Sequence, residues 1–229
     1  RAASLTVLFL RPLPLPVVRE AEAVAEPGRR IGTVRSLGAI LADVRVQIAL
    51  TTLSVSQFVM IATTSTSPLY LHDRGHSVGT IGVAVSLHLA GMYVASPLSG
   101  WLADRLGRLP VIALGALLLI GAIGLAGLAP GDAGAAIIAG LFLNGVGWNL
   151  AFVSGSALLT DALSPVERAS VQGFADLLMG LMGAIGSAAG GMILGIWGFA
   201  ILNAVGAALV LGPLAVALMR RPAVAVQEG

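Results

Sequence analysis

Six long apolar stretches dominate the chain, spanning roughly Val46–Tyr70, Thr80–Ala103, Leu109–Leu128, Ala133–Leu159, Gln172–Ile196 and Phe199–Met219. A helix needs about 20 residues to cross the hydrocarbon of a bilayer, and each stretch meets that length. The breaks between them are short and carry turn chemistry: HDRGHS at 72–77, DRLGR at 104–108, PGD at 130–132, DALSPVER at 161–168 and WG at 197–198. Connections this tight force neighbouring helices to run antiparallel. A membrane barrel would instead show alternating segments of about ten residues. The expected fold is therefore all-α and polytopic, six transmembrane helices in contact with a lipid bilayer. Composition agrees: 57% of the residues are hydrophobic and 10% are charged, where about 25% charged is usual for a soluble domain.

The charges that remain are informative. A net charge of +2, with no basic patch interleaved with aromatics, argues against a nucleic-acid partner. The absence of cysteine removes disulfides, Cys-ligated metals and thiol nucleophiles. No H-E-x-x-H, Walker loop or dinucleotide fingerprint is present, so neither a metal nor a cofactor is expected. All 13 basic residues are arginines. With Arg1 left unassigned, eleven of them fall before the first helix, in the second and fourth loops, or in the tail, against Arg74 alone on the opposite side. The positive-inside rule then places both ends of the segment in the cytoplasm. Arginine without lysine is the usage expected of a GC-rich bacterial genome, which points to a plasma (inner) membrane.

Residues 1–45 read differently from the bundle at 46–219 and from the tail at 220–229. Ala2–Leu10 is apolar but too short to span, and it ends at Arg-Pro-Leu-Pro-Leu-Pro, which cannot continue a helix. We read it as the stump of a preceding transmembrane helix that leads into a cytoplasmic loop. Val34, Leu37, Leu41 and Val44 recur at helical spacing, as in an amphipathic helix lying on the membrane face, and a plain solvated linker fits this stretch as well.

The sharpest motif is Gly100-Trp101-Leu102-Ala103-Asp104-Arg105-Leu106-Gly107-Arg108. It resembles the G-x-L-A-D-R-x-G-R signature of the major facilitator superfamily of secondary transporters. Here Leu109-Pro110 follows, where a basic residue is usual. LLTDALSPVERASVQG at 158–173 is similar to the family's connection between the fourth and fifth helices of a half. Gly186-Ser187-Ala188-Ala189-Gly190-Gly191 is similar to the G-P-x-x-G-G element of drug exporters, with Ser in place of Pro. The resemblance implies the C-terminal six-helix half of a twelve-helix permease, whose N-terminal half is the partner. It also implies a small solute moved by alternating access, coupled to a proton or other ion gradient. Gating falls to Gly100, Asp104, Arg105, Gly107 and Arg108. Asp161 and Glu167 on the same face are placed to pair with the two arginines, leaving Asp104 free to accept backbone donors of the other half.

Pathway candidates come from polar residues inside the spans. Thr52, Ser56, Thr63 and Ser67 fall on one stripe of the first helix at 100° per residue, with Met60 among them, and such a stripe does not face lipid. Gln57 and Thr64 widen the polar face. A cavity wall and interhelical hydrogen bonding both fit that stripe. His88, Asn144, Trp148 and Asn149 stand near the middle of other helices, where such folds hold their solutes. His88 and Asp176 are the candidates for ion coupling. Small residues four apart, Gly183, Ser187, Gly191 and Gly195 on the fifth helix and Gly91, Ala95 and Ser99 on the second, suit close helix packing. Two other readings remain open: a non-transporting scaffold or receptor of the same fold, and an intramembrane hydrolase. The latter rests on Gly75-His76-Ser77-Val78-Gly79, a G-x-S-x-G match that works only at a strand-to-helix turn.

Overall fold

The computed structural model describes residues 35–130 and 134–219. The stump at Ala2–Leu10, the proline run, Val34 and the tail at 220–229 lie outside the described residues. The elements are α1 (Leu37–Ala42), α2 (Val44–Asp73), α3 (Val78–Tyr93), α4 (Ser96–Leu106), α5 (Arg108–Gly127), α6 (Gly134–Asp161) and α7 (Pro165–Met219).

Capping chemistry explains most of the boundaries. Ser36 Oγ accepts from the Ala39 amide to start α1, and the Asp43 carboxylate accepts from the Arg45 amide to start α2. Within the proposed surface helix, Leu37 and Val44 are exposed, Ile40 is buried, and Val44 already belongs to α2. Pro97 sits in the first turn of α4, where a missing N–H costs little. It withdraws a donor from the preceding turn, and the second span therefore breaks into α3 and α4 at Val94–Ala95. Gly107 joins α4 to α5 with φ +91°, a conformation that side chains rarely adopt.

The last helix needs separate treatment. Its 55 residues would extend about 80 Å at 1.5 Å per residue, more than twice the bilayer core. At Gly198 the backbone leaves the helix (φ 83°, ψ 175°), which divides α7 into arms at 165–197 and 199–219. Among the described residues, five helices are long and apolar enough to cross a membrane, α3 and α4 counting as one. With α7 divided, the crossings are six.

α2 is the central element. In its most apolar stretch 67% of residues are buried, against 22% for α3–α4. Leu53, Val59, Ile112, Leu119, Leu159 and Val171 anchor the main core between α2, α5, α6 and α7. Helices meet at glycines. A methyl group added at Gly186 would lie 2.6 Å from the Phe58 carbonyl oxygen, and one at Gly190 would lie 2.8 Å from that of Ala62. Backbone contact this close explains how α7 can lie along α2. The row that makes this contact is thus Gly183, Gly186 and Gly190. Ser187, Gly191 and Gly195 are exposed, because four-residue steps advance 40° each and rotate away from the neighbour. Gly91 does pack as expected: a methyl there would lie 2.5 Å from the Phe142 carbonyl oxygen.

Candidate functional site

At the α4–α5 junction, Arg108 organises the signature loop. Its Nη1 donates to Asp104, one helical turn earlier, and its Nε donates to Asp161 at 3.1 Å. The guanidinium thus ties the α4–α5 junction to the end of α6. Two expected pairings come out differently. Asp104 is engaged by Arg108, because the i,i+4 spacing survives the Gly107 turn. Arg105 points the other way and lies 4.8 Å over the Trp101 ring, as a cation–π contact. Glu167 is buried and accepts from the Ser164 amide at 3.0 Å, one arm of a capping box at the start of α7. Gly100, like Trp101, lies on the less covered side of α4, and a methyl added there would meet open space.

A second group of polar residues lies at mid-depth. Gln57 and Trp148 are within about two residues of the midpoints of α2 and α6. The indole Nε1 of Trp148 donates to Gln57 Oε1 at 2.9 Å, and the Trp148 ring stacks on Phe152 with centroids 4.9 Å apart. Gly183 of α7 faces the same glutamine; a Cβ there would approach its Nε2 to 3.5 Å. About two turns further along α2, Thr64 Oγ1 lies 3.3 Å from His88 Nε2. His88 Nδ1 lies 2.9 Å from the Leu141 carbonyl oxygen, which can only accept, so Nδ1 carries a proton. For neutral imidazole, Thr64 is then the donor to Nε2. Three helices are joined through one buried ring.

Asn149 plays a local part. Its amide donates to the Met92 carbonyl and to Ser96 Oγ, and its Oδ1 accepts from Ser99. These bonds occupy the break between α3 and α4, where Pro97 has disrupted the helix ladder. Asn144 is 1% exposed and neither amide atom has a hydrogen-bond partner in the structure.

Thr52, Ser56, Thr63 and Ser67 are all buried, Ser67 completely. Ser56, Thr63 and Ser67 donate to carbonyls of their own helix, at Leu53, Val59 and Thr63, and Thr52 Oγ1 has no partner. Thr52 and Ser56 line an interior gap of about 10 Å³ with Leu119, Ala151 and Val210. The stripe therefore faces the packed interior, while half-buried Gln57 and Thr64 border the less covered side. Asp176 is exposed on α7, bonded to Gln172 Nε2 at 3.1 Å, eleven residues into the helix. It lies seven residues, about two turns, before Gly183 on nearly the same face.

Phe152 and Asn203 are additions to the residues read from sequence. Phe152 is i+4 from Trp148, a spacing that signals a shared face. Buried Asn203 bonds the Phe199 carbonyl and gave no periodic signal. Ser77, centre of the hydrolase-like motif, caps α3 by accepting from the Thr80 amide at 3.2 Å. No strand precedes it among the described residues.

The family profile described as Major Facilitator Superfamily matches residues 4–228. An uncharacterized MFS-type transporter of Bacillus subtilis, YddS, is 34% identical over 227 residues, covering 96% of this chain and 51% of the relative. The riboflavin transporter RfnT of Brucella anthropi is 32% identical over 177 residues, covering 77% and 44%. The crystal structure of a D-xylose-proton symporter superimposes with a TM-score of 0.64 at 15% identity, covering 77% of this chain and 47% of that one. The chain spans about half the length of the relatives it matches.

Proposed function

The chain belongs to the Major Facilitator Superfamily of membrane transporters, which are not enzymes, and on that premise we propose that it forms the C-terminal half of a permease. In this reading the two halves rock about a shared central site and carry a small solute by alternating access. An ion or proton gradient drives the cycle. The observation that carries the proposal is the mid-depth polar group of Gln57, Trp148, Thr64 and His88, contributed by three helices. Polar groups at that depth are costly in a membrane protein unless they are used.

The partner is the N-terminal six-helix half, and two outer surfaces suit it. α3–α4 is little covered, and the outward face of the 165–197 arm carries Gly173, Gly180, Ser187 and Gly191 together with Asp176. A carboxylate on that face is better accommodated beside water or protein than beside lipid, which supports Asp176 as a coupling group alongside His88. Thr52, Ser56, Thr63, Ser67, Asn144 and Asn149 support the wall from behind. The arginine asymmetry supports cytoplasmic ends in a plasma membrane. Among similar proteins, RfnT of Brucella anthropi is a riboflavin transporter and MdtL of Escherichia coli is a multidrug resistance protein. They support a small-molecule solute and do not single one out.

A solute-uptake screen comparing cells with and without the complete transporter tests this. A difference for at least one solute, abolished by a protonophore or by removal of the coupling ion, is the expected result. Identical profiles across the screen would favour the non-transporting scaffold or receptor.

A further inference from the structure

The Gln57–Trp148 pair constrains what the central wall can recognise. An indole N–H can only donate, so its partner must be the glutamine oxygen. This fixes the orientation of the amide and leaves the Gln57 NH2 group to donate elsewhere. Among the described residues Nε2 has no hydrogen-bond partner, and α7 presents Gly183 in front of it. Beside the amide, Trp148 is almost fully buried, and Phe152 is the outer, half-buried member of the stack. Ile61, also half-buried, faces Gly183 together with Gln57.

Charge narrows the choice further. The described arginines, Arg35, Arg45, Arg74, Arg105, Arg108 and Arg168, all stand at or beyond helix ends. None is at mid-depth to neutralise an anion, and Asp176 two turns away would repel one. A polyol would need many paired donors and acceptors, whereas this wall offers one spare amide among rings and aliphatic groups. Sites that are mostly apolar with a few placed polar groups suit flat, weakly polar molecules.

We infer that the solute is a planar aromatic molecule without negative charge, which presents a carbonyl-type acceptor to the Gln57 amide and lies against Phe152. The inference rests on the transport reading above.

Lumichrome, a neutral planar heteroaromatic with ring carbonyls, is a suitable probe. Its equilibrium binding is measured to the complete transporter in nanodiscs, with mannitol and benzoate as competitors. Saturable binding is expected, with neither competitor displacing it. Gln57→Leu should weaken it roughly 5- to 10-fold, the range of one neutral hydrogen bond. Phe152→Leu should weaken it several-fold through lost stacking. Each variant is first checked for monodisperse elution; if Gln57→Leu does not fold, Phe152→Leu and the competitors carry the test. Absence of saturable binding, displacement by mannitol or benzoate, or binding that the folded variants leave unchanged would overturn the inference. The transport reading fails separately, since reciprocal exposure of cysteines on the two sides of the membrane can be measured without lumichrome.

Discussion

Asn144 shows how a single side chain can be judged. Its amide is enclosed in α6 with every hydrogen-bonding position unmet, a condition that costs about 1–3 kcal/mol in a protein interior. Asn144→Leu has similar volume and no polar group, so it should raise stability by about that amount. Thermal unfolding of the detergent-solubilised protein, followed by size-exclusion fluorescence, reports the change. A loss of stability would mean that the amide has a partner in the working protein. Asp104 gives the opposite expectation. It is largely exposed and pairs with Arg108, so Asp104→Asn should alter stability by less than about 1 kcal/mol. In the complete transporter the same change removes an anion that, by family resemblance, docks on a helix N-terminus of the other half. Such contacts are worth about 0.3–2 kcal/mol, and the outward-facing state should lose population accordingly. Unchanged cysteine labelling on both membrane faces would reduce the loop to a charged connector.

At the scale of elements, glycine positions separate into contact sites and open sites. Gly145 lies against the His88 carbonyl oxygen and the Met92 amide nitrogen, where a methyl group has no room. Gly121 has nothing within 4 Å. Gly145→Ala should therefore destabilise by about 1–3 kcal/mol by forcing α3 from α6. Gly121→Ala should be neutral or stabilising by up to about 1 kcal/mol, since alanine restricts the unfolded chain. Equal thermal midpoints for the two variants would contradict the packing described. The elements themselves were largely legible from sequence. Apolar runs located all six crossings, and the WG break at 197–198 coincides with the non-helical Gly198. The start of α7 was placed seven residues late because Ser164-Pro165-Val166-Glu167 is polar and reads as loop, although it is also a capping box. The break at Val94–Ala95 was signalled only by Pro97. The site was less legible. Helical phase shows that the hydroxyls of α2 avoid lipid, but it does not say which protein-facing side they occupy. Neither the closure of Thr63 and Ser67 onto their own carbonyls nor the pairing of Gln57 with Trp148 can be read from spacing.

The described residues form a six-crossing bundle whose least covered surfaces lie on α3–α4 and on the first arm of α7. The transport reading requires an opposing wall, so the purified chain in liposomes should show no saturable solute flux by itself. Uptake by a strictly monomeric preparation would contradict that requirement. Alternating access is the central claim, and cysteine accessibility tests it most directly. This chain has no native cysteine, so a single reporter introduced into it is unambiguous within this segment. Ser65 lies in the second half of α2 and Thr160 at the C-terminal end of α6. In the complete transporter, Ser65→Cys and Thr160→Cys should respond reciprocally to solute or to the ion gradient when probed with an impermeant maleimide. One position should become more reactive as the other becomes less so. Solute flux with constant reactivity at both positions would contradict the account.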